Sequence, residues 1–186
     1  MLDVPPQWLD PMDLPTTQGF VNGPCWYHGT SSALLDSIRT QGLLRSGDKA
    51  LRQAIKKTMA TIGNRYTDSV EPVFLTPSRA LAHFWARQAV RKRTSRSEGE
   101  ERPVVLALQL DATLSARVRP DVGAAALLMV EEGSDYLSFV AALYRKAGLD
   151  APDFDAVSFG RMDFLTRLGM AYIDQDIPAA CLTVLP

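Results

Sequence analysis

The chain has 186 residues, 46% of them apolar and 22% charged, which fits one folded domain with a sizeable core. Its formal charge of −1 supplies no global field for nucleic acid, and no apolar run reaches the roughly 18 residues of a membrane span. The N-terminus lacks a basic segment followed by an apolar one, so no cleaved signal peptide is expected. Two cysteines, Cys25 and Cys181, and two histidines, His28 and His83, are not spaced as a structural zinc site of about four ligands requires. No metal is expected, and the cysteines read as buried free thiols in preference to a disulfide.

Residues 1–24 hold five of the twelve prolines and read as an extended arm that lies on the domain or trails from it. Trp8, Leu9, Leu14 and Phe20 suggest that the arm docks. The domain proper is expected over 25–186. Its first strand covers 25–27 and stops at His28-Gly29-Thr30. Thr30, Ser31 or Ser32 then caps a helix carrying Leu34, Leu35 and Ile38, which Gly42 ends. A second helix is expected over about 48–61, with a solvated basic face.

Residues 73–76 read as a short strand, and Pro77 and Ser78 start a helix through Ala80, Leu81, Phe84, Trp85 and Val90. The basic run 91–96, followed by Glu98, Glu100 and Glu101, reads as an exposed loop. Residues 104–110 form a strand apolar enough to be central in a sheet. An amphipathic helix is expected over 134–146, closed by Gly148, and residues 170–185 read as two short strands around Ile177-Pro178. Helices and strands are thus mixed. No Gly-x-Gly-x-x-Gly or Walker-type loop follows any strand, which argues against Rossmann and P-loop nucleotide binding.

The sharpest motif is Trp26-Tyr27-His28-Gly29-Thr30-Ser31, followed by Asp36-Ser37-Ile38 and Gly42-Leu43. Further on come Pro72-Val73-Phe74-Leu75-Thr76, with Ala82, Phe84 and Trp85 after it, then the strand at 104–110 and a closing Ile177-Pro178. In these blocks the chain resembles the ADP-ribosyltransferase superfamily, on its His-aromatic-Glu side, which includes poly-ADP-ribose-polymerase-like and DarT-like enzymes. The resemblance implies an α+β fold: a split pair of small, mostly antiparallel sheets flanked by helices, with NAD in the cleft between them. It also implies a mono-ADP-ribosyltransferase that cleaves NAD and passes ADP-ribose to a macromolecule. A bacterial or phage toxin or effector in a cytoplasm, with an immunity or antitoxin partner and no membrane, is the expected setting.

NAD binding needs a donor and an acceptor for the nicotinamide carboxamide, and a glycine at 29 lets the backbone come close. On the resemblance, His28 hydrogen-bonds the adenosine ribose, while Phe74 and Trp85 sandwich the nicotinamide ring. Thr30 and Leu75 complete the expected NAD contacts. Taken singly, each of these residues has an ordinary structural reading; the functional reading rests on their order and spacing.

Two positions depart from the family pattern. Phe74 keeps the ring of the usual tyrosine and loses its hydroxyl. Ala171, in Ala171-Tyr172-Ile173, stands where the family carries its catalytic glutamate, whose carboxylate stabilises charge developing on the ribose. Three explanations stand: an inactivating replacement of glutamate, a domain that naturally lacks it, or a register in which Asp174 or Asp176 serves. The first is preferred for the fit of the other blocks, with Asp174 the fallback. An RNA 2′-phosphotransferase and a non-catalytic NAD- or partner-binding domain are the alternative functions. The first of these normally adds an arginine and a His-x-His strand, and no such strand is present.

Overall fold

The strand that begins at Cys25 does not stop at the histidine; it runs on as β1 (Cys25–Ser31). Alternation explains why: Trp26, His28 and Thr30 share one face of the strand, and Tyr27, Gly29 and Ser31 the other. The computed structural model describes residues 4–21, 23–47, 53, 70–94, 100–155 and 158–186. The helix expected over about 48–61 lies, except for residue 53, outside the described residues, as does 95–99 of the charged loop.

After β1, the Ser31 hydroxyl accepts the Ala33 N–H and opens a single 3-10 turn that leads into α1 (Leu35–Gln41). Gly42, at φ 83°, stops that helix. Next come β2 (Val73–Leu75), α2 (Arg79–Thr94), β3 (Pro103–Gln109), α3 (Ala112–Ser115), β4 (Arg119–Pro120), α4 (Ala124–Leu128) and α5 (Glu131–Lys146). The chain ends with α6 (Asp163–Thr166), β5 (Ala171–Ile173) and β6 (Leu182–Val184). The start of the basic run, through Thr94, belongs to α2 and not to a loop. α3, β4, α4 and α6 are too short to leave a periodic signature in sequence.

The architecture is α+β, with two small three-stranded antiparallel sheets. One sheet is ordered β1-β3-β6 and the other β2-β5-β4. β3 is central in its sheet, as its apolar run predicts. The sheets touch through one bridge, in which Tyr27 and Thr76 exchange backbone hydrogen bonds of 2.8 and 3.0 Å. Gly42-Leu43 and Ile177-Pro178, far apart in sequence, meet in a second bridge between Leu43 and Ile177. A Cβ on Gly42 would lie 2.1 Å from the Ile177 carbonyl oxygen.

Two apolar clusters hold this frame. One lies on the Trp26 face of the sheets and gathers Trp26, Leu106 and Leu108 with Val73, Leu75, Ala171 and Ile173, roofed by Ile38 and Ile177. The other packs α2 against α5 through Leu81, Phe84, Tyr136, Phe139 and Leu143. At roughly 1.5–3 kcal/mol for each large side chain fully buried, these clusters dominate the stability.

The arm is part of the second cluster and does not trail. Val4 and Phe20 are buried in it, and Trp8 stacks on His83 with centroids 5.0 Å apart and planes 6° from parallel. Asp13 Oδ2 accepts the Arg79 N–H at 2.8 Å, capping α2 from the arm. Burial nevertheless raises the Asp13 carboxyl to about 6. Burial, and then the Arg79 charge, push the His83 imidazole down to about 4.

These two shifts act in opposite directions on stability. Between an unfolded value near 4 and about 6, the native state holds the Asp13 proton more tightly, so this group's contribution falls as pH rises. His83 contributes more as pH rises from about 4 towards 6.5. Asp13→Asn removes only the first effect. Its melting temperature should therefore gain on the parent chain across that window, by about 2–4 °C for each kcal/mol released, and then hold level. Melts at a series of pH values measure this; a margin that does not grow between pH 4 and 6 contradicts the buried-carboxyl account.

Candidate functional site

The Tyr27–Thr76 bridge sets the geometry of the split. Continuing its antiparallel count would place His28 beside Leu75 and bond Gly29 to Phe74. The ladder does not continue. Instead the His28 imidazole reaches across, and its Nδ1 lies 2.8 Å from the Phe74 carbonyl oxygen. A carbonyl only accepts, so Nδ1 carries the proton and Nε2 is left as an acceptor. Burial lowers the His28 pKa, partly offset by that hydrogen bond, so the ring is neutral at pH 7.

Tyr27 spends its N–H and C=O on Thr76, so Tyr27 is a non-hydrogen-bonded partner to β3, and by alternation so is Gly29. The Gly29 N–H and C=O therefore point away from β3, to the side where β2 has diverged. One donor and one acceptor stand there side by side on a single residue. Gly29 also has a packing duty. A Cβ on it would lie 2.1 Å from the Ala82 carbonyl oxygen and 2.5 Å from the Ala86 nitrogen, so α2 rests directly on β1 here.

The expected aromatic sandwich is only half assembled. Phe74 is 48% exposed on the outer face of β2. Trp85 is turned into the helical core, with its ring centroid 4.8 Å from Tyr136 and 5.2 Å from Phe84. Its place on α2, one residue after the buried Phe84, directs it to α5 and not to Phe74. The aromatic residue set directly opposite Phe74 is Tyr172, on β5. Thr30 is buried at the far end of β1, and Leu75 is part of the apolar cluster.

Ala171 pairs with Leu75 on one side and Pro120 on the other. These residues form a cross-strand row, Leu75–Ala171–Pro120, on one face. No carboxylate stands in that row. Ala171 is 1% exposed and faces the apolar cluster. Asp174 and Asp176 are engaged elsewhere: the Arg45 guanidinium contacts Asp174 at 3.2 Å and Asp176 at 3.5 Å, and Asp176 also accepts the Arg45 N–H. Those contacts tie down the turn after β5.

Beyond Pro120 the same face carries an open depression of about 460 Å³. Trp26, Val118, Pro120, Met162 and Leu165 form its apolar wall, and Arg119 and Arg161 lie at it. Neither arginine was singled out by the sequence, because β4 is two residues long and Arg161 precedes a one-turn helix. Cys25 and Cys181 are free and half-buried. Among the described residues no helix is long and apolar enough to cross a membrane. No family model, curated protein or solved structure matches the chain.

Proposed function

We propose that this chain carries an ADP-ribosyltransferase-type domain that binds NAD at the split between its sheets. In this reading it transfers ADP-ribose to a macromolecule when residue 171 is glutamate. The observation that carries the reading is the interrupted ladder: Gly29 offers its N–H and C=O together where the sheets diverge, matching the carbonyl and amino group of a carboxamide. His28, fixed by the Phe74 carbonyl, offers Nε2 to a ribose hydroxyl. The strand succession β4-β5-β2 and β1-β3-β6, joined at one bridge, is consistent with the split pair of sheets that the resemblance implies. NAD here is the substrate, and in this reading it supplies the ADP-ribose. A toxin or effector role with an immunity partner belongs to the same proposal.

One observation favours a second reading. Ala171 sits among apolar side chains with no carboxylate in its row, so the chain as it stands suits a domain that binds NAD without turning it over. Both readings require NAD binding, and calorimetry with NAD tests it directly. Binding is expected, weakened about tenfold by His28→Ala through loss of one hydrogen bond at a half-buried site. If NAD gives no heat and no thermal shift with the parent chain, both readings fall.

A further inference from the structure

The first turn of α2 is capped from a distance. The Ser78 carbonyl accepts the Ala82 N–H, so Ser78 stands at the N-cap, where a serine hydroxyl ordinarily serves the helix. Here it serves nothing: Ser78 is fully buried, and its Oγ has no partner among the described residues. Asp13, 66 residues back in the arm, has taken the place by accepting the Arg79 N–H at 2.8 Å. A carboxylate fits that place poorly. Asp13 Oδ1 also lacks a partner, as do Arg79 Nε and His83 Nε2. Five buried side-chain polar atoms are unpaired among the described residues, and these four lie where the arm crosses the start of α2. Each such group costs free energy that a partner would recover. Burial, opposed by the Arg79 N–H, raises the Asp13 carboxyl to about 6. The Asp10 charge adds to the rise, and the Tyr27 hydroxyl and the Arg79 charge offset it.

The start of a helix attracts anions through N–H groups that have no acceptor within the helix, and through its dipole. A carboxylate offers two oxygens in one plane, whereas a phosphate offers three strong acceptor oxygens in a tetrahedral array. The donors gathered here outnumber what one carboxylate oxygen can meet. We propose that the start of α2 is a phosphate site and that Asp13 is its built-in plug, displaced when a phosphate group binds. In the bound state the Arg79 N–H, the Ser78 hydroxyl and Arg79 Nε donate to the phosphate. The arm lifts between Val4 and Phe20, whose side chains anchor it in the core. Lifting carries the Asp10 charge away together with Asp13. The site stands without the NAD reading.

Calorimetry with inorganic phosphate on the parent chain and on Asp13→Ala, against chloride at equal ionic strength, is the first test. Asp13→Ala, with the plug gone, should bind phosphate about tenfold more tightly than the parent, or better. It should melt below the parent in chloride and recover in phosphate. Adding Ser78→Ala to Asp13→Ala should weaken binding about tenfold, through loss of one hydrogen bond to a charged group. A second measurement needs no variant. Chymotrypsin should cut the arm of the parent chain after Trp8 or Leu14 faster in phosphate. Phosphate otherwise strengthens burial, so faster cleavage there reports a displaced arm. The proposal is overturned if Asp13→Ala binds phosphate no better than the parent, if Ser78→Ala leaves that binding intact, or if phosphate does not speed the cleavage. Should Asp13→Ala not fold, the cleavage result decides alone. NAD titrated in saturating phosphate then separates the sources: competition assigns the site to the phosphates of NAD, and independent binding assigns it to a separate phosphorylated ligand.

Discussion

A glutamate at position 171 is expected to raise NAD consumption by about 10²–10³ over the chain with Ala171, and to pass label from NAD to a macromolecule. The carboxylate would stand on β5, between Leu75 and Pro120. Positive charge that develops on the ribose would meet it there, and a fixed carboxylate stabilises such charge electrostatically. Its length decides whether it can be tolerated. Ala171 itself faces the apolar cluster, and Pro120 opposite borders the depression that holds Arg119 and Arg161. The transferase reading requires a glutamate to carry its carboxylate out of that cluster to the split. On that reading Ala171→Glu should melt within a few degrees of the parent chain. Ala171→Gln, equal in size and without charge, should fold as well and leave NAD intact. A loss of more than about 3 kcal/mol with no NAD consumption would identify Ala171 as a genuine core residue, since an uncompensated buried charge costs about that much. The domain would then be a binder and not a transferase.

Gly29→Ala is expected to destabilise the protein by about 3 kcal/mol or more and to abolish NAD binding. The added methyl would meet backbone atoms of α2, the Ala82 oxygen and the Ala86 nitrogen, and neither can turn aside as a side-chain end could. Either α2 lifts from β1, opening the packing of Ala82 and Ala86 on Val105, or β1 itself shifts. Either movement displaces the N–H and C=O that stand ready for a carboxamide. At about 2–4 °C per kcal/mol for a chain of this size, the melting temperature should fall by about 6–12 °C. Gly23→Ala is the control: its Cβ would meet nothing closer than the Cys25 nitrogen at 3.9 Å. If both variants melt with the parent, the close approach of α2 to β1 does not hold in solution.

Much of the fold was legible in sequence because its signals are local. Gly42 and Gly148 ended helices where expected, each with positive φ. The apolar run at 103–109 took the centre of a sheet, where both faces need burying. The His-Gly-Thr segment has the local signature of a strand end because glycine so often marks a turn; in the structure it is strand, and the glycine serves the contact of α2 with β1. The arm's docking was visible only as a hint in Trp8 and Phe20, while its cap on α2 joins Asp13 to Arg79 across 66 residues. No periodicity carries such a pairing.

The sequence by itself determined which residue types meet the split: a histidine and a glycine in one strand, an exposed aromatic in another, and an alanine in a third. Which of them face one another was decided by tertiary structure. The bridge between Tyr27 and Thr76 joins β1 to the second sheet, and in that sheet the period of two puts Leu75 and Ala171 on one face and Phe74 with Tyr172 on the other. Trp85 left the expected sandwich because α2 packs on α5, where its ring lies against Tyr136 and Phe84. Arg119 and Arg161, 42 positions apart, share a depression because β4 pairs with β5 just after the short helix that follows Arg161. Strand pairing brings distant residues together through backbone hydrogen bonds, and those bonds are the same for every side chain; the sequence alone therefore could not show which partners they would join.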